Sequence, residues 1–235
     1  MIDFRPYSSS SKGNLYIVDD GRTRLMIECG LPWKEIRQAL EFRTSEIQGI
    51  LLSHAHKDHS RAAGDAAKAG LDIYASRATL DTLGLSGHRF HAISPRVPFD
   101  LGSWDVLPFE TVHEGEEGDT LGFLVANKEK ERLLFLTDSC YCRYRFKNLT
   151  VIAIECNYAD DILAENTRVG AVDRSLRKRI RGSHMSLETA KEMLLANDLS
   201  QVREIWLLHL SDSNSDAERF KREVREITGK IVRIA

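Results

Sequence analysis

The sequence predicts one domain with a mixed fold of the α/β (α+β) class, and three observations point to it. Short apolar runs typical of strands alternate with helical patterns along the chain. A hydrophobic content of 42% is enough for a full core in a chain of 235 residues. No internal repeat or long linker divides the sequence. We therefore expect one domain over residues 1–235.

The first elements are predicted from turn residues that separate apolar runs. Residues 15–18 and 24–27 form two strands joined by a hairpin turn at residues 19–21. The serine-rich segment 8–14 before them is predicted to be an ordered, turn-rich loop. A helix over residues 32–42 follows, with proline in its first turn.

The remaining elements alternate in the same manner. Strands are predicted at residues 50–53, 71–75, 106–112, 118–126, 132–137, 151–155, 204–208 and 231–232. Helices are predicted at residues 60–68, 77–83, 174–181, 187–197 and 216–228, with Ser186 capping the fourth of them. The segment that contains His88 and His91 is predicted to be irregular, and both histidines are expected at the surface.

The overall charge limits the classes of partner. The formal net charge is −2, so contact with a nucleic acid requires a local basic patch. The four cysteines are too few for a disulfide scaffold, and reduced thiols are expected. The start of the sequence lacks an apolar signal region, and no apolar run approaches the length of a membrane span. We therefore expect a cytoplasmic protein that does not contact membranes.

The strongest chemical signal is the segment HAHKDH at residues 54–59. Three histidines and one aspartate follow a buried strand directly. Its spacing lets His54 and His56 converge on one cation while Asp58 and His59 turn towards a second. Imidazoles with one carboxylate suit zinc, manganese or iron better than calcium or magnesium. The alternative is a polar loop with surface histidines.

This segment resembles the HxHxDH signature of the metallo-β-lactamase superfamily. The resemblance implies a four-layer αββα sandwich with metals at the sheet edge, and three later ligands in the order His, Asp, His. The matching positions are His113, Asp138 and His209, each at the end of a predicted strand. The resemblance further implies two divalent ions, zinc or manganese, with Asp138 as the bridge. It assigns His54, His56 and His113 to the first ion, and Asp58, His59 and His209 to the second.

Other stretches are similar to the YycJ/WalJ group of nuclease-like members of this superfamily. The opening pattern SSxxGNxxxV…LxIxxGL resembles that group, which usually carries Asp where this chain has Glu28. The turn GSHMS at residues 182–186 is also similar to the His motif of tRNase Z-type phosphodiesterases. The resemblance implies catalytic roles for Asp58, His184 and Glu155, with Glu155 pairing with His184 and raising its pKa.

A basic run, RSLRKRIR at residues 174–181, precedes this turn. The ordinary interpretation of such a run is a solvated helix face. Its position between Glu155 and His184 favours binding of a phosphate backbone. This hypothesis assigns substrate-binding residues as follows: Arg177, Lys178, Arg179 and Arg181.

The expected function is that of a two-metal phosphodiesterase, a nuclease that uses a metal-bridging hydroxide and favours DNA over RNA. The resemblance to the YycJ/WalJ group implies DNA exonuclease activity. The alternatives are a hydrolase of a small ester, thioester, lactam or cyclic nucleotide, and a binding protein that retains only the fold. The interval between Asp138 and His184 is too short for the inserted β-CASP-like domain of RNase J-type relatives. Cys140 and Cys142 are expected to be buried or half-buried thiols. The residues themselves do not determine the oligomeric state, and the resemblance to relatives that are often dimers leaves a homodimer open.

Overall fold

The computed structural model describes residues 1–113 and 116–235 and contains two β-sheets. The first sheet has the strand order β1-β2-β3-β4-β5-β6. Its strands are β1 (Asp3–Ser10), β2 (Gly13–Asp19), β3 (Arg24–Ile27), β4 (Ile47–Leu51), β5 (Ile73–Ser76) and β6 (Phe90–Ile93). Pairing is antiparallel from β1 to β3 and parallel from β3 to β6.

The second sheet has the order β13-β12-β11-β10-β9-β8-β7. Its strands are β7 (Phe99–Leu101), β8 (Trp104–His113), β9 (Glu116–Ala126), β10 (Arg132–Leu136), β11 (Val151–Glu155), β12 (Glu204–Leu208) and β13 (Ile231–Ile234). Strands β10 to β13 are parallel, whereas β7 to β10 pair antiparallel.

Helices cover the outer faces of both sheets. In the first half of the chain these are α1 (Trp33–Ala39), α2 (Lys57–Ser60), α3 (Ala63–Lys68) and α4 (Arg77–Thr82). In the second half they are α5 (Asp160–Arg168), α6 (Arg174–Ser183), α7 (Leu187–Leu195) and α8 (Ala217–Thr228). Among the described residues, no helix combines the length and the apolar character that crossing a bilayer requires.

The inner faces of the sheets pack against each other through a central apolar cluster. This cluster includes Phe4 and Tyr16 from the first sheet and Trp104, Phe123 and Phe135 from the second. A second cluster joins the first sheet to α1, α3 and α4, and a third joins the other sheet to α7 and α8. The layers are therefore helix, sheet, sheet and helix, and the predicted αββα sandwich is confirmed.

Several local predictions were wrong. The serine tract does not form a loop, because residues 8–10 complete β1 by pairing with β2 up to Ser10 opposite Gly13. His91 lies in strand β6 beside β5, not in an irregular segment. The single helix expected at residues 60–68 is two short helices, α2 and α3. Strand β7 and helix α5 were not predicted. Each of these elements depends on pairing or packing with another element of the fold.

The strand directions bring several chain segments to one edge of the sandwich. Strands β4, β10, β11 and β12 all end at this edge, as does β8, which runs parallel to β10 across β9. The polar segments that follow these strands therefore meet in space although they are far apart in sequence.

Candidate metal centre

Residues directly after the strands bend sharply into this edge. The backbone has a left-handed conformation at Glu28, Asp138 and His209, with φ values of 62°, 43° and 54°. Such a conformation costs a non-glycine residue about 1 kcal/mol or more and clusters at functional sites. Here it turns the side chains that follow strands β3, β10 and β12 towards each other.

Four predicted ligands form the first group of converging side chains. Their ligand atoms lie within 4.8 Å of one another, and the group consists of His54, His56, His113 and Asp138. The hydroxyl of Ser53 lies 2.8 Å from His54 Nδ1, and the carbonyl of Ser183 lies 3.1 Å from His113 Nδ1. These contacts leave the Nε2 atoms of both histidines for the site.

A second group of ligand atoms within 4.8 Å of one another consists of Asp58, His59 and His209. Asp138 lies between the two groups. One of its oxygens is 3.3 Å from His59 Nε2, and the other is 3.5 Å from His209 Nδ1. The structure therefore brings together all seven side chains that the sequence predicted as ligands, with Asp138 at their centre.

Burial and charge set the protonation of the group. Burial of the imidazole lowers the pKa of His54 well below its usual range, so this ring is neutral and its lone pair is free. Burial opposes the charge on His59, but Asp138 and Glu28 outweigh it and raise the pKa of His59 well above its usual range. Burial likewise opposes the charge on Asp138, yet His59 and His209 lower the pKa of Asp138 well below its usual range.

The donor set fits divalent cations. Three ring nitrogens that face the site are buried without a hydrogen-bond partner among the described residues, namely His54 Nε2, His113 Nε2 and His209 Nδ1. A buried polar atom without a partner is costly, and a cation would satisfy each of them. Carboxylates of Asp58 and Asp138 supply the negative charge that such an ion requires.

A carboxylate–imidazole pair borders the group. Glu155, at the end of β11, is fully buried, and its Oε1 lies 2.6 Å from His184 Nδ1. Its other oxygen accepts hydrogen bonds from the backbone N–H of Ser139, at 2.9 Å, and of Met185, at 3.3 Å. The ring of His184 stacks on that of His209 with centroids 5.4 Å apart. Burial lowers the pKa of His184, but Glu155 outweighs burial and raises it to about 9.

Comparison with known protein families identifies the superfamily of this chain. The family model described as a beta-lactamase superfamily domain matches residues 23–210. The chain belongs to the beta-lactamase superfamily. It is a hydrolase of this superfamily, whose metallo-β-lactamase fold implies divalent metal ions.

Two relatives are named as exonucleases. Exodeoxyribonuclease WalJ of Streptococcus pneumoniae is 26% identical over 228 residues, which cover 90% of this chain and 82% of that protein. Exodeoxyribonuclease YycJ of Bacillus anthracis is 25% identical over 245 residues, which cover 96% of this chain and 89% of that protein. The resemblance to this group is confirmed.

A solved structure supports the fold. The metallo-beta-lactamase fold protein YhfI from Bacillus subtilis superposes with a TM-score of 0.76 at 17% identity. The match covers 100% of this chain and 95% of that chain. At this identity the likeness shows the shared fold.

Of the residues that hold the predicted ligands in place, sequence reasoning singled out Glu28 and missed Asn14 and Ser53. The side-chain amide of Asn14 donates to the carbonyl of Asp58 and lies 3.2 Å from His59 Nε2. Ser53 contacts His54, and the carboxylate of Glu28 lies 3.5 Å from His59 Nδ1. Asn14 and Glu28 fall within the opening pattern that resembles the YycJ/WalJ group, but their contacts depend on tertiary structure.

The predicted basic run forms α6, beside this edge rather than within it. Leu176 and Ile180 pack inwards on a small apolar cluster with α5. Arg177, Lys178 and Arg181 line a groove between the two helices, whereas Arg179 does not.

Two cysteines and two histidines considered in the sequence analysis lie outside the groups of converging ligands. Cys142 is buried and Cys140 is half-buried, as expected, and burial raises the pKa of the Cys142 thiol to about 11. His88 is exposed and His91 lies 3.2 Å from Asp72. None of these four residues belongs to the groups of converging ligands in the described part of the chain.

Proposed function

We propose that this protein is a two-metal phosphodiesterase that hydrolyses nucleic acid, with DNA favoured over RNA. The observation that carries the proposal is the Glu155–His184 pair, which lies beside the seven predicted ligands. This pair also forms a third group of converging side chains with Asp138 and His209. Such a pair suits a phosphodiester, because the leaving alkoxide of this substrate needs a proton or a neighbouring positive charge.

The proposed ligand sets follow the two groups of side chains. His54, His56 and His113 would hold one zinc or manganese ion, and Asp58, His59 and His209 would hold the other, with Asp138 shared. Bound ions of this kind lower the pKa of water and neutralise charge on a phosphoryl oxygen.

The protein's own side chains supply the remaining steps. Asp58, whose pKa stays low beside His59 despite partial burial, is an ionised carboxylate that can orient the attacking water. His184, protonated through its contact with Glu155, can donate a proton to the leaving oxygen through Nε2. Glu155 fixes the ring orientation and the tautomer of His184.

Two further observations support nucleic acid as the substrate. Both curated relatives described above are named exodeoxyribonucleases. The basic helix α6 ends at His184, so a local positive charge adjoins the site in a chain of formal net charge −2. We also propose that residues 1–235 act as one domain, because the central apolar cluster joins strands from both halves of the chain.

The test compares substrates and variants in the presence of manganese or zinc. The substrates are end-labelled duplex DNA, single-stranded DNA, RNA and bis(p-nitrophenyl) phosphate. The variants are His184→Ala and Asp58→Ala, with His88→Ala as an exposed control. We expect cleavage of DNA by the wild type and by His88→Ala, and loss in the other two variants.

Other outcomes would redirect the proposal. Cleavage of the small ester alone would indicate a small-molecule phosphodiesterase, including one for cyclic nucleotides. No phosphodiester cleavage by protein that has bound metal would overturn the proposal and favour a small ester, thioester or lactam as substrate.

A further inference from the structure

The cations of α6 form a row rather than a ring around the helix. Arg174, Arg177, Lys178 and Arg181 have the spacing i, i+3, i+4 and i+7, which places them on one helix face. Arg179 falls outside this spacing. The basic run is therefore a linear feature with a direction along the helix.

This face borders a groove between α5 and α6. The groove has a volume of about 660 Å³. Its lining consists of Ala164, Thr167 and Arg168 from α5 and Arg174, Arg177, Lys178 and Arg181 from α6. Five of these seven side chains are cationic, so the groove concentrates positive charge.

Most of these cations have no ion-pair partner among the residues that the structure describes. Arg181 pairs with Asp160 and Arg168 pairs with Glu165. Arg174, Arg177 and Lys178 make no ion pair with any residue that the structure describes. Neighbouring like charges on a helix face are destabilising, and α6 itself contains no acidic residue.

Helix α8 shows how acidic residues usually compensate the cations of an exposed helix. There Arg219 pairs with Glu223 four residues later, and Glu223 also accepts from Lys191 of α7. Acidic partners are thus interleaved with the cations of α8 but absent from α6. The cations of α6 therefore form a continuous positive surface, which a negatively charged ligand would neutralise.

The C-terminal end of α6 adjoins the candidate metal centre. The last turn of α6 contacts the site through the Ser183 carbonyl, 3.1 Å from His113 Nδ1. His184 follows directly as the C-terminal cap of the helix. From Arg174 to His184 the helix rises by about 15 Å.

We propose that this groove binds the phosphate backbone of a single nucleic-acid strand and guides it to His184. A single row of cations matches the phosphates of one strand, and a charged groove that tracks the backbone is typical of single-strand binding. At about 3.4 Å per stacked nucleotide, the distance from Arg174 to His184 corresponds to roughly four nucleotides. This inference rests on the proposed function, since it places a polymeric substrate at the same site.

The experiment measures binding rather than cleavage. A fluorescein-labelled single strand with phosphorothioate linkages is titrated with metal-loaded protein, and anisotropy is recorded at several salt concentrations. The variants are Arg177→Gln and Lys178→Gln in the groove and Arg179→Gln outside it. Arg222→Gln is the matched control, because Arg222 is exposed on α8 and has no ion pair within the described chain. Melting temperatures verify that each variant is folded.

We expect the two groove variants to weaken binding by about three- to tenfold each, and to lower the salt slope by about 0.7. Arg179→Gln should weaken binding less than either, and Arg222→Gln should not change it. Affinity should increase with strand length up to roughly four nucleotides beyond the scissile phosphate and then level off.

Equal losses of affinity in Arg177→Gln and Arg179→Gln would overturn the proposed strand binding in the groove and would indicate only a diffuse positive surface. Unchanged binding in both groove variants, or tighter binding of duplex than of single strand, would also overturn it. The wild type's hydrolysis of bis(p-nitrophenyl) phosphate separates the two proposals. Hydrolysis without strand binding would refute only the proposal that the groove binds a strand. Strand binding without any phosphodiester cleavage would refute the proposed chemistry and leave the groove proposal standing.

Discussion

Two charged regions lie side by side in this molecule and are built differently. In the candidate metal centre six of the seven predicted ligands are buried or half-buried, and His56 is exposed. Contacts with Ser53 and Ser183 fix the rings of His54 and His113. In helix α6 the cations of the row are largely exposed, and Arg174, Arg177 and Lys178 have no ion pair in the described structure. One region is preorganised, and the other is solvated.

The difference follows from the dielectric surroundings. Charges in a buried cluster interact strongly, so small displacements matter and the supporting hydrogen bonds are needed. Charges on an exposed helix are screened by salt and attract a polyanion without fixing its atoms. We infer that the buried region performs the chemistry and that the exposed region captures the substrate.

The largest expected effect is at the centre of the buried region. Asp138→Asn keeps the side-chain shape, and asparagine tolerates the left-handed backbone at this position. Loss of the shared carboxylate should reduce phosphodiesterase activity by about 10³-fold or more and reduce the bound metal. Activity and metal content by elemental analysis measure this, with Asp65→Asn on the exposed face of α3 as control. Normal metal content and activity in Asp138→Asn would contradict the central role of this carboxylate.

Chelation extends this test to the whole group. Treatment with a chelator should abolish activity and lower the melting temperature, because the buried ring nitrogens would lose their partners. Activity should return on addition of manganese or zinc. A melting temperature that does not change with metal would indicate that the seven side chains bind none.

The next effect is at the border of the buried region. His184→Ala should lower kcat on DNA by about 10²-fold while leaving metal content unchanged, because His184 lies outside the proposed ligand sets. Glu155→Gln should lower kcat less, since the imidazole remains but loses its charged partner. Loss of metal in His184→Ala would instead make it a ligand, as its grouping with Asp138 and His209 allows.

A smaller effect tests the supports behind the ligands. Glu28→Gln removes the charge 3.5 Å from His59 Nδ1 while keeping the side-chain length. Metal affinity should fall by about ten- to 100-fold, as for other groups that orient metal-bound histidines. Titration with zinc in a competing chelator measures this, with the exposed Glu35→Gln as control. Equal affinities in the two variants would show that Glu28 has only a packing role.

The smallest effect is in the half-buried ion pairs of α8, the helix whose cations alternate with acidic residues. Hydrogen bonds from Arg219 and Lys191 lower the pKa of Glu223. Its contribution to stability is therefore present above the unfolded-state pKa, about 4.5, and is lost as the pH falls through the lower folded-state value. Glu223→Gln should destabilise the protein by about 0.5 kcal/mol at neutral pH and by less in acid. Urea unfolding at both pH values measures this, and a loss above about 2 kcal/mol would contradict the screening of these charges.

The sequence by itself determined the fold class and the candidate ligands. Strands β11 and β12 have the bounds that their apolar runs predicted. The polar residues after those runs lie at the expected edge of the sandwich. These features were readable because strand periodicity and the spacing within residues 54–59 are local properties of the chain.

Only the tertiary structure decided how the candidate site is supported and where the row of cations on α6 lies. The serine tract became part of β1 because pairing with β2 outweighs its low strand propensity. Asn14 and Glu28 reach His59 only because parallel pairing of β3 with β4 brings these segments together. Likewise, helical spacing places Arg177 and Arg179 on different faces of α6, but only the packing of α6 against α5 decides which face borders the groove. Contacts between distant segments depend on the folded topology, which local sequence patterns do not contain.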